Sequence, residues 1–63
     1  MIIVMKKGAT EGQIENVIAW IESVGYNAHP SRGVERAIIG AVGDERGKAY
    51  LKFAESISGV EKV

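Results

Sequence analysis

The apolar residues of this chain change their spacing in one particular order, and that order leaves few folds open. Ile2 to Met5 is an unbroken run of apolar, partly β-branched residues, which predicts a strand that Lys6, Lys7 and Gly8 interrupt. Ile14, Val17, Ile18, Ile21 and Val24 then recur at helical spacing, as one apolar stripe. Thr10 and Gln13 read as a capping box at the start of this helix: the hydroxyl accepts from an orphan N–H and the amide reaches back. Glu11 and Glu15 lie early, where the helix dipole favours negative charge, and Gly25 predicts the end. Tyr26 to His29 predicts a weak, polar second strand that stops at Pro30 and therefore lies at a sheet edge. Ser31, Arg32 and Gly33 read as a turn. Glu35 to Val42 predicts the strongest strand, with Ile38, Ile39 and Val42 at its heart. Asp44 suits the N-cap of a second helix, which carries Tyr50, Phe53, Ala54 and Ile57 on one stripe. Gly59 ends it, and Val60 to Val63 begins a last strand.

Strand, helix, strand, strand, helix, strand is two right-handed β-α-β units interleaved. That order predicts an α+β, ferredoxin-like βαββαβ sandwich: a four-stranded antiparallel sheet with both helices on one face. Strands one and three are then central, and strands two and four are edges. The helices cover only one sheet face, so the other should alternate to polar residues. It does not. Strand one is apolar at every position, and strand three places Ala37, Ile39 and Ala41 on one side and Ile38 and Val42 on the other. The expectation is an aliphatic patch on the open face, packed against a second copy or another domain.

Length sharpens that expectation. A chain of 63 residues is one domain, residues 1–63, and buries only roughly 60% of the surface its unfolded form exposes. Small domains usually add a staple, and with no cysteine neither a disulfide nor a thiolate metal site is open to this one. Self-association or docking onto a larger partner remains. Eight basic and eight acidic side chains cancel, which disfavours nucleic acid and anionic membranes as partners. The apolar N-terminal run is too short for a signal core, and no stretch approaches the ~20 residues of a spanning helix. A cytoplasmic location is the expectation.

Residues that carry chemistry are few. His29 is the one histidine and no ligand cluster surrounds it, so no metal and no cofactor are expected. A Ser-His-acid reading would join Ser31, His29 and Glu35, but it implies no preformed pocket, so no catalytic residue is assigned. His29 reads instead as a surface histidine at a strand end or as a polar handle for a small ligand. Arg32 and Arg36 flank the same turn and suit a carboxylate through forked hydrogen bonds, or remain solvated. Lys6, Lys7 and Gly8 lack Walker spacing, and Gly40 to Gly43 is no dinucleotide fingerprint; Gly40 reads as a bulge or a close backbone approach. Strands one and three carry no aromatic residue, which excludes base stacking of the RNA-recognition type. The first loop has neither the paired cysteines of a metallochaperone nor the arginine of an acylphosphatase.

Longer strings are more specific. The opening from Met1 to Glu11, then His29-Pro30-Ser31-Arg32-Gly33, and then Glu35-Arg36-Ala37-Ile38-Ile39-Gly40 with Val42-Gly43-Asp44 resemble one class of 3-deoxy-D-arabino-heptulosonate 7-phosphate (DAHP) synthases. The resemblance runs without a gap over nearly the whole chain. It implies an N-terminal ferredoxin-like, ACT-like regulatory domain, which in the family precedes a (β/α)8 barrel. The barrel condenses phosphoenolpyruvate with erythrose 4-phosphate, with a divalent metal, at the first step of the shikimate pathway of aromatic amino-acid biosynthesis. None of the barrel's catalytic or metal-binding positions falls in the matched strings, so the resemblance implies a non-enzymatic part, whether free-standing or excised. In regulated members such domains pair and bind an aromatic amino acid, chiefly tyrosine, between them. The resemblance makes His29 and Ser31 ligand-binding residues, tyrosine or phenylalanine the effector, and a homo-oligomer or a docked (β/α)8 domain the partner. The alternative is a ligand-free dimerisation or docking module.

Overall fold

The computed structural model of the chain describes residues 1–44 and 48–63. Its elements are β1 (Ile2–Met5), α1 (Glu11–Ser23), β2 (Asn27–Arg32), β3 (Ala37–Val42), α2 (Lys48–Leu51) with a following 3₁₀ segment (Lys52–Ser56), and β4 (Val60–Lys62). The four strands form one antiparallel sheet in the order β2-β3-β1-β4. This is the ferredoxin-like α+β arrangement, with β1 and β3 central as their apolar content requires.

α1 forms where its stripe and caps place it. Thr10 accepts from the Gln13 backbone N–H, and the Gln13 side chain accepts from the Thr10 N–H. Gln13 Nε2 also donates to Ser58 Oγ, tying the cap to the loop before β4. Ile14, Val17 and Ile21 are buried against Ile3, Met5, Ala37, Ile39, Ala41 and Val60 of the sheet. Trp20 is half-buried at the margin of this core. Tyr26 lies in the core and donates its hydroxyl to the carbonyl of Asp44, linking the entry of β2 to the exit of β3.

Several expectations are corrected. The second strand does not stop at Pro30: β2 continues through Ser31 and Arg32, so the expected Ser31-Arg32-Gly33 turn is displaced to Gly33–Arg36. Proline is tolerated because β2 is an edge strand, where an outward-facing position needs no ladder donor. β3 starts at Ala37 rather than Glu35. No bulge occurs at Gly40; the register irregularity lies between Val4 and Met5, opposite β4. The second helical stripe is not formed as expected. After Leu51, α2 tightens into a 3₁₀ segment, whose three residues per turn scatter an α-helical stripe. Ala54 is buried and Ile57 packs at the core margin, but Tyr50 and Phe53 are exposed. The expected N-cap role of Asp44 concerns a helix start at 45–47, which lies outside the described residues.

Candidate functional site

Residues directly opposite each other in an antiparallel pair point to the same sheet face. The register therefore sorts every strand position. Ile3, Ile39 and Pro30 share one row, and the complete burial of Ile3 and Ile39 makes this the helix-covered face. The rows between them belong to the open face. One row is His29, Gly40 and Ile2; the next is Ser31, Ile38, Val4 and Lys62; Asn27 and Val42 share a third.

The two residues singled out as ligand contacts thus lie on one strand and on one face. His29 and Ser31 are two positions apart on β2, about 6.8 Å along an antiparallel strand. Both are exposed, and neither side chain has a hydrogen-bond partner among the described residues. They border the aliphatic patch expected from the doubly apolar strands: Ile2, Ile38 and Val42 are 54%, 41% and 59% exposed. The ligand handle and the uncovered patch, read separately from the sequence, are one surface. Periodicity does not reveal this, because Pro30 predicts the end of β2 and places Ser31 in a turn.

The arginines are elsewhere. Arg32 pairs with Ala37 on the helix-covered side, and its guanidinium forks onto Glu11 at the start of α1, 2.6 Å and 3.0 Å away, with Glu15 at 3.6 Å. Arg36 donates to Glu61 of β4, spanning β1 between them. Both guanidiniums are engaged by carboxylates of the chain, so the carboxylate-binding reading of this pair is not supported. A shallow depression of about 250 Å³ lies between the first loop and the β2–β3 turn. It includes these arginines and excludes His29 and Ser31. Glu35 makes no hydrogen bond or ion pair with His29 or Ser31 among the described residues, so the Ser-His-acid grouping is not assembled. Among the described residues no cluster of His, Cys, Asp or Glu suits a metal ion. No helix there is long and apolar enough to cross a membrane.

The Arg32–Glu11 fork carries its own prediction. The hydrogen bond from Arg32, more than the charge itself, holds the Glu11 carboxyl below its ordinary value of 4.5. A carboxyl depressed on folding contributes stability above its unfolded pKa, lost as pH falls through the lower folded value. The pair is exposed, so the contribution is small and salt-sensitive. Thermal unfolding of Glu11→Gln should differ slightly from the parent at neutral pH, and the difference should close only in solutions more acidic than pH 4.5 or in molar salt. A difference that persists in strong acid would show that the change of side chain, and not the charge of the carboxylate, sets the effect.

Comparisons with known proteins agree with this fold. The family model of the DAHP synthase ferredoxin-like domain matches residues 1–63. The chain is 44% identical over 63 residues to phospho-2-dehydro-3-deoxyheptonate aldolase of Thermotoga maritima, an alignment covering all of this chain and 18% of that protein. A crystal structure of the Thermotoga maritima DAHP synthase matches with a TM-score of 0.82 at 43% identity, over 97% of this chain and 18% of that one. The chain thus spans 18% of the length of these relatives. Family model, sequence identity and fold coincide over the same residues: the chain belongs to the family of DAHP synthase ferredoxin-like domains.

Proposed function

We propose that the chain is a regulatory domain that binds an aromatic amino acid, tyrosine or phenylalanine, on the open face of its sheet, at an interface with a second copy or with a (β/α)8 catalytic domain. The carrying observation is that the side chains of His29 and Ser31, neither hydrogen-bonded among the described residues, stand beside exposed Ile2, Ile38 and Val42 on that face. An aromatic amino acid needs both halves of such a surface: apolar area for its ring and polar groups for its ends. The role is allosteric in the aromatic branch of a cytoplasmic pathway, and the chain by itself is not the enzyme.

The sheet edges favour the face as the contact. β2 carries Pro30 and polar side chains, and β4 has three residues, two of them charged. Both features discourage strand addition. The open face has no such guard. A ligand bound there shifts the balance of paired and unpaired domains only by its differential affinity for the two.

The second reading is a docking module without a ligand, which the aliphatic patch alone also supports. Light scattering of the purified chain with millimolar tyrosine or phenylalanine separates the two. A mass that rises with one amino acid, and fails to rise in folded His29→Ala, is the expected result. A mass unchanged by either amino acid would leave only the docking module.

A further inference from the structure

We infer that Gly40 is a specificity-determining residue of this face, its missing side chain forming the slot in which the ring of the aromatic amino acid sits; the inference rests on the reading above. A glycine in the interior of a central strand weakens the sheet and usually has a local reason. None of the usual reasons applies here. The backbone at Gly40 is not in the left-handed region; positive φ occurs at Gly8, Gly25 and Gly59. The pairing around it is continuous on both sides, with Ile2 and with His29. A Cβ at Gly40 would meet only the His29 carbonyl oxygen at 3.7 Å and the His29 Cβ at 3.8 Å, both ordinary contacts. The fold has room for a side chain that the sequence omits.

The omission shapes the open face. Gly40 lies in its row between His29 and Ile2, one on each neighbouring strand. Strands about 4.8 Å apart set these two flanks about 9.6 Å from each other. A flat ring in contact on both faces needs about 3.5–4.0 Å on each side, about 7–8 Å in all. The slot therefore takes one planar ring on edge, with His29 against one face and Ile2 against the other. Ile38 and Val42, two residues to either side on β3, close its ends. An aliphatic amino acid of similar size gains no stacking with the imidazole.

The test is thermal stability and ligand titration of the full chain, using phenylalanine and tyrosine, with leucine as control. Gly40→Ala should fold with an unchanged or higher midpoint and bind either aromatic amino acid at least ten-fold more weakly. Gly40→Val, which fills the slot further, should show no response. Independently of any variant, bound phenylalanine ring protons in the unaltered chain should show nuclear Overhauser contacts to the Gly40 Hα. If the unaltered chain responds and Gly40→Ala responds equally, or the ring lies away from Gly40, the slot is overturned while the regulatory reading stands. Loss of self-association in Gly40→Ala without any amino acid would also overturn it, giving the slot to a second copy. No response from the unaltered chain would overturn the regulatory reading and this inference with it.

Discussion

Ile39→Ala should lower the unfolding free energy by about 2–5 kcal/mol, whereas Ile38→Ala, its neighbour on the same strand, should cost about 1 kcal/mol or less. The contrast follows from the two faces of β3. Ile39 is wholly buried between Ile3 and α1, so truncation leaves a cavity as well as lost apolar contact. Ile38 is 41% exposed on the open face, where surrounding water refills the space. A chain of 63 residues has a total stability of about 3–9 kcal/mol, so Ile39→Ala removes a large share of it and leaves a partly unfolded population at room temperature. Urea unfolding of dilute samples, where association is suppressed, reads both losses. Equal losses would mean that the open face is covered even in the dilute chain. At high concentration the order should change for association: Ile38→Ala weakens it by removing patch area, because the interface reading assigns that side chain to the contact.

This strand also marks how far the sequence could be read. Ile39 and Ile38 have the same side chain, and composition cannot tell them apart. Parity separates Ala37, Ile39 and Ala41 from Ile38 and Val42 but leaves open which set faces the core; the structure buries the first set and exposes the second. Element order and apolar content placed β1 and β3 at the centre, and helical spacing with the Thr10–Gln13 box placed α1. Reading failed where local propensity and tertiary context disagree. Pro30 is a stop signal by its missing N–H, yet pairing with β3 holds β2 extended past it. Tyr50, Phe53, Ala54 and Ile57 have helical spacing, but that spacing carries no information about a helix tightening to 3₁₀ geometry. For the candidate site, residue types were legible and their assembly was not. His29 and Ser31 came from resemblance and the aliphatic patch from parity. Only the register joins them, because it fixes which residues of three strands share a row. The fork of Arg32 onto Glu11 and the single bond from Arg36 to Glu61 join positions 21 and 25 residues apart, a relation with no local signal.

Gly43→Ala should destabilise the chain by about 1–3 kcal/mol, the range for forcing extra volume into a packed site. A Cβ at residue 43 would lie 2.9, 3.0 and 3.1 Å from three ring carbons of Tyr26. That ring cannot swing away at little cost. It is buried, and its hydroxyl is held by the Asp44 carbonyl, on the residue next to the added methyl. Gly43 has no positive φ, so backbone strain does not contribute and the penalty is steric alone. A steric origin makes the effect conditional on its partner. Tyr26→Ala is itself destabilising, as loss of a buried aromatic must be, but in that background Gly43→Ala should cost almost nothing. Thermal or urea unfolding of the two single variants and the double variant gives the coupling directly. Additive losses would place the cost of Gly43→Ala in the backbone at the end of β3 and remove Tyr26 from the explanation. A strong coupling would mean that the single core tyrosine fixes where β3 ends, and with it the row in which Val42 faces Asn27 at the margin of the open face.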